Sequence, residues 1–289
     1  MTLSFITELD KQQKKDWQAL IKRNRSLFIK PPSEIVETIL ATSSFPFSSQ
    51  GVTEYITHVR LQCWEAYLKE ELVFHKHMIA LLLQQNEYAQ TILTESIAEH
   101  LSASLPPSQT QLAKLIGHTA GYLTPYIYEL CLSSTNSRRS RSGTIFEKII
   151  EHLLKTCYGY PFSSQALLGT SFYTQHNLGK MVDGIIPNAE AFSKNKSQCV
   201  FVTMKTSLRE RWQEVVEEID RTNIPSVFLL TLDTSFSSEN IQRMNHKNIN
   251  LVIPRQAKES YLEFHNVHSF ESFMNTIIPN YLRFWPEFA

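Results

Sequence analysis

The chain has 289 residues, 42% hydrophobic and 19% charged, and its 28 basic and 28 acidic side chains cancel to a formal charge of zero. This composition excludes a disordered or fibrous chain and allows one large domain or two modest ones around a buried core. It also excludes a molecule-wide basic field, although a local basic groove suffices to hold a nucleic acid. The four cysteines, Cys63, Cys131, Cys157 and Cys199, form no CxxC pair. That spacing argues against a thiolate zinc site and for reduced thiols in a cytoplasmic protein. The opening "MTLSFITELDKQQKKDW" turns charged too early for a secretory leader, and no apolar run approaches the length of a membrane span.

Along the chain, "TELDKQQKKDWQALIKRNRSLF" has apolar residues at helical spacing, and "PPSEIVETILA" opens a second helix after its prolines. "SQGVTEYITHVRLQCWEAYLKEELVFHKHMIALLL" reads as one or two long helices, and "SQTQLAKLIGHTAGYLTPYIYELCL" as another, kinked at Pro125. "SSTNSRRSRSG", residues 133 to 143, has no apolar face and reads as a break. Beyond it, "TIFEKIIEHLLKTC" is an amphipathic helix. "ALLGTSFYT", "KMVDGII", "CVFVTMK", "SVFLLTL" and "NINLVIP" read as strands, with "LRERWQEVVEEIDR" a helix between two of them. The expectation is an α/β fold in a single domain over 1–289. Its mixed central sheet is flanked by helices over 133–289, and a helical region, 1–132, packs on that core.

One acid is out of place. Asp183 sits in the apolar run "KMVDGIIP", where a carboxylate needs a partner, a metal or an exposed strand end. The next strand ends at Lys205. Neighbouring strands lie about 5 Å apart, so the two residues can meet at one end of a sheet. An acid beside a lysine suits phosphodiester hydrolysis. The carboxylate holds a divalent cation, which acidifies water, and the lysine orients that water and offsets the added charge. Two residues before the lysine stands Thr203, not an acid, and the following helix offers candidates for the second ligand instead. There Glu210, Glu214 and Glu218 share one face, bordered by Glu217.

Asp183, Lys205 and a displaced Glu218, followed by "RER", resemble the active site of the PD-(D/E)XK nucleases. More narrowly they resemble the Type II restriction endonucleases of the SsoII and EcoRII group, in which a glutamate about thirteen residues after the lysine replaces the second strand acid. "SRRSRSGTIFE" is similar to the group's arginine-rich segment, whose glutamate falls four residues after a glycine; Gly143 and Glu147 fit. The resemblance covers roughly residues 133 to 222, and Val182 stands where the superfamily has proline.

The resemblance implies a restriction-endonuclease-like sheet and a Mg2+-dependent site in which Asp183 and Glu218 hold the metal. Lys205 then positions water, and Glu147 is an accessory acid. It also implies that Arg209, Glu210 and Arg211 read bases. Arginine forks match guanine and a carboxylate accepts from cytosine amino groups, so one subunit reads a CC/GG half-site. A homodimer on double-stranded DNA then reads a palindrome with a CCGG or CC-N-GG core. A companion DNA methyltransferase follows from the resemblance alone.

Each residue has a plainer reading. Asp183 alone could be a strand-end acid with a structural hydrogen bond, and Lys205 alone a solvated strand end. Glu147 could close a capping box with Thr144. Arg138, Arg139 and Arg141 are candidate phosphate contacts and Asn136 a candidate minor-groove contact, yet a flexible basic loop would look the same. His75 and His77, two apart on a helix, do not face each other and read as structural. The competing functions are a repair or recombination nuclease of the same superfamily, and a DNA-binding protein with a silent nuclease core.

Overall fold

The computed structural model describes residues 8–101, 106–178, 182–208, 216–217, 222 and 224–288. The chain forms two compact units, one of residues 1–35 with 64–141 and one of 36–63 with 142–289. No helix of the described residues is long and apolar enough to cross a membrane.

The helices of the first half are α1 (Lys11–Phe28), α2 (Pro32–Thr42), α3 (Val52–Gln85), α4 (Glu87–His100), α5 (Gln109–Tyr122) and α6 (Thr124–His152). α1 starts at a capping box. The Asp10 carboxylate accepts from the backbone of Gln13, whose side chain returns to the Asp10 N–H. The long apolar stretch is one helix of 34 residues, α3. Its start is closed by a residue distant in sequence, because the buried Glu271 accepts the Thr53 N–H at 2.8 Å. Pro125 does not kink a helix. It lies in the first turn of α6, where its missing N–H costs no hydrogen bond.

"SSTNSRRSRSG" is not a break, since α6 runs through it without interruption. It lacks an apolar stripe because its inner face is polar and paired. Ser134, buried, meets His75 Nε2 at 2.7 Å; Arg138 grips Glu71; Arg141 donates to the Lys30 carbonyl at 2.6 Å. These residues recur at helical spacing and so form a seam. The same continuity removes the capping-box reading of Thr144 and Glu147, which lie inside the helix. "ALLGTSFYT" is not a strand either. It belongs to α7 (Gln165–Gln175), broken at Gly169, whose φ of 75° is open to glycine at little cost.

Among the described residues the second unit is built on a six-stranded sheet in the order β1 to β6. The strands are β1 (Ser163–Ser164), β2 (Gly184–Ile186), β3 (Val200–Lys205), β4 (Val227–Thr231), β5 (Ile249–Ile253) and β6 (Val267–Ser269). β1, β2 and β3 pair antiparallel, whereas β3 through β6 pair parallel. Parallel strands are covered on both faces, so "VFVTM" and "VFLLT" are buried throughout and read as unbroken apolar runs. Ile185, Phe201, Leu229 and Leu251 anchor one core cluster. Gly184 is needed at its position because a Cβ there would lie 2.2 Å from ring carbons of the buried Phe162. Gly184→Ala is expected to cost about 1–3 kcal/mol by overpacking, read as a lowered midpoint in thermal unfolding.

Candidate active site

Asp183 stands immediately before β2, with its backbone held on both sides. Its N–H donates to the Val202 carbonyl at 2.8 Å, and its carbonyl accepts the Gln165 N–H at 2.9 Å. Its Oδ2 accepts the Met204 N–H at 2.6 Å and the Thr203 hydroxyl at 3.4 Å. Thr203, fully buried, therefore supports the aspartate from the position two residues before the lysine. Lys205 closes β3, in register with Thr231 of β4, and its Nζ lies 3.6 Å from Asp183 Oδ2. The two residues expected to meet at a sheet end do so. The aspartate side chain is 12% exposed and the lysine 32%, so the pair has one open side.

Glu147 comes from α6 and brings a second carboxylate into this field. It is pushed up to about 7, first by burial and then by the Asp183 charge, with Lys205 opposing both. Asp183 is also raised, because burial outweighs the Lys205 charge and the Met204 hydrogen bond. Two carboxylates against one ammonium leave a surplus negative charge in a mostly buried place. That donor chemistry fits a hard, oxygen-seeking divalent cation. Among the described residues no group of three or more potential ligands gathers. Glu218, the expected further ligand, lies outside the described residues, as do Arg209, Glu210 and Arg211. Sequence reasoning missed Tyr173 on α7, whose buried phenol is pushed up by burial and by the Asp183 charge. Its hydroxyl has no hydrogen-bond partner among the described residues. No sequence signal pointed to it, because its segment read as a strand.

The remaining candidates lie on the part of α6 that belongs to the other unit. Asn136 and Arg139 are exposed. Arg138 holds Glu71 through Nε at 3.0 Å to both carboxylate oxygens and through Nη2, while the Tyr67 hydroxyl donates to Glu71 at 2.6 Å. Arg138 also lies over the Trp64 ring and Arg141 over the Tyr67 ring. His75 and His77 serve different partners, Ser134 and Asn24, as their spacing requires. Arg138→Ala would leave the Glu71 carboxylate, 3% exposed, with Tyr67 as its remaining donor. It is expected to cost about 2 kcal/mol, less than a fully buried pair because Arg138 is part-exposed. A melt of the variant with no DNA present separates this cost from any loss of DNA affinity.

Known proteins resemble this chain in sequence and fold. A family model described as "EcoRII C terminal" matches residues 121–274. The Type II restriction enzyme SsoII of Shigella sonnei is 32% identical over 267 residues, 90% of this chain and 81% of that protein. The Type II restriction enzyme EcoRII of Escherichia coli is 28% identical over 137 residues, 46% of this chain and 31% of its own length. Of solved structures, metal-depleted Ecl18kI in complex with uncleaved DNA matches with a TM-score of 0.76 at 29% identity, over 96% of this chain and 87% of that one. The restriction endonuclease PspGI in its substrate DNA complex shares the fold, with a TM-score of 0.59 at 18% identity over 88% of this chain and 94% of that one. The matched span includes Glu147, Asp183 and Lys205, and on both the family match and the SsoII likeness the chain belongs to the SsoII/EcoRII-like Type II restriction endonucleases.

Proposed function

We propose that this enzyme is a homodimer that hydrolyses double-stranded DNA, with magnesium, at a palindrome whose core is CCGG or CC-N-GG. The observation that carries the reading is the Asp183–Lys205 pair at the sheet end, with the Glu147 carboxylate raised beside it. Asp183 and Glu218 hold the cation, with Glu147 as accessory acid; when bound, the metal polarises the scissile phosphate and acidifies water. Lys205 holds the attacking water by a hydrogen bond and offsets the charge that grows on the phosphate oxygens. Glu147, neutral below pH about 7, accepts or releases a proton as the site fills and empties. Thr203 and the Met204 N–H keep Asp183 aimed.

Arg209 and Arg211 take two guanines, and Glu210 bridges the two opposite cytosines, so each subunit reads one half-site. Asn136, Arg138, Arg139 and Arg141 are assigned to the DNA side of the protein. Such an enzyme works in the cytoplasm beside a methyltransferase that protects the same site. The test is digestion of a sequenced plasmid followed by sequencing of the fragment ends. Discrete fragments that all end at one palindrome with a G/C core are expected. Ends scattered over unrelated sequences, or gathered at branched or flapped structures, would contradict the reading.

A further inference from the structure

The unit of residues 1–35 and 64–141 contains a groove lined by Lys22, Arg23, Arg25 and Ser26 of α1 together with Arg141 of α6. Among the described residues no carboxylate lines it. The two inner arginines are oddly provided for. Arg25 Nη2 donates to the Ser133 hydroxyl at 2.8 Å, and its guanidinium lies over the Phe74 ring, but its buried Nε has no partner among the described residues. Arg141 donates through Nη1 to the Lys30 carbonyl and through Nε to the Ser137 hydroxyl. Burial pushes both guanidiniums down from their usual range, and the Arg141 charge pushes Arg25 further.

The acids that reach these arginines are Glu70 and Glu71. Glu71 is already held by Arg138 and Tyr67, and Glu70 accepts the Lys30 N–H at 3.0 Å. Half-buried like charges side by side are stable only at a cost that an anion in the groove would offset. Planar N–H forks with two further cations at the rim match a tetrahedral oxyanion better than a single carboxylate.

We propose that this groove binds a phosphate group, and that the phosphate belongs to the backbone of bound DNA. The source rests on the DNA-cleaving reading above; the site does not, since it stands apart from the Asp183 centre in the sequence and shares no residue with it. Lys22 and Arg23 add a contact that carries no sequence information, because phosphates are the same at every step.

The probes are a fluorescent duplex carrying the plasmid-derived site, a duplex of unrelated sequence, and inorganic phosphate. All are measured in EDTA with the full chain, beside Lys22→Ala/Arg23→Ala, two exposed positions whose change should spare the fold. A slope of log affinity against log salt that is smaller by about 1 in the double variant, equally for both duplexes, is the expected result. An unchanged slope for both duplexes overturns the DNA source. If inorganic phosphate then stabilises the wild type against heat and not the variant, the groove holds a free anion; if it does neither, the site itself is overturned. Wild-type protein that fails to prefer its site over unrelated DNA would defeat the sequence-specific reading instead, and the slope comparison on either duplex still decides the groove.

Discussion

Lys205→Ala is expected to slow single-turnover cleavage by at least about 10²–10³ while leaving site-specific binding in EDTA within a few-fold of wild type. The reason is positional. Lys205 stands at the end of β3 beside Asp183 and is the cation that the Asp183–Glu147 pair shares. On the proposed mechanism its removal takes away the donor for water and the charge facing the phosphate, but no strand contact, since the β3–β4 ladder is a backbone one. Lys205→Arg tests the same point more finely. It keeps the charge yet presents a broad planar fork in place of a compact ammonium, so it should recover little activity. Equal losses of binding and cleavage in the alanine variant would show a folding defect, not a chemical one.

The second large effect is in the pH dependence of stability. Glu147 is raised from its usual 4.5 to about 7, and Asp183 is raised as well, so the folded chain without metal binds more protons than the unfolded chain between those values. Stability is then greatest at the acid side of this window, falls as the pH rises from about 4.5 to about 7, and is flat above it as far as Glu147 is concerned. In EDTA, the midpoint of thermal unfolding should drop across this range more steeply for wild type than for Glu147→Gln, leaving the variant the more stable of the two at pH 7.5. Magnesium should raise the wild-type midpoint at pH 7.5 and have a smaller effect at pH 5.5, because ligation requires the deprotonated acid. Identical pH profiles for the two proteins would mean that Glu147 is not the charge-crowded acid described here.

How much of this could be read in the sequence depends on where each residue finds its partner. β3 and β4 were legible because strands covered on both faces show unbroken apolar runs, and Asp183 was legible because a lone acid interrupts such a run. The Asp183–Lys205 meeting followed from strand adjacency alone. The path of α6 through Ser133–Gly143 was not legible. Its inner residues are polar, and what makes them inner is Glu71, His75 and Lys30, all far away in the chain. α7 misled for the opposite reason, since an apolar run broken by a glycine suits a short strand as well as a bent helix. Glu147 could be placed only by the resemblance. Its raised pKa comes from burial beside Asp183, a tertiary fact that no spacing displays.

The most direct measurement is cleavage of a duplex bearing the plasmid-derived site by wild type and by Asp183→Asn, each with magnesium and with EDTA. Cleavage by wild type with magnesium and none in the other three reactions is the expected result, with both proteins still bound to the duplex. Cleavage in EDTA, or cleavage by Asp183→Asn at the wild-type rate, would contradict it, because the carboxylate at the end of the sheet would then not be the group that brings the metal to the phosphate.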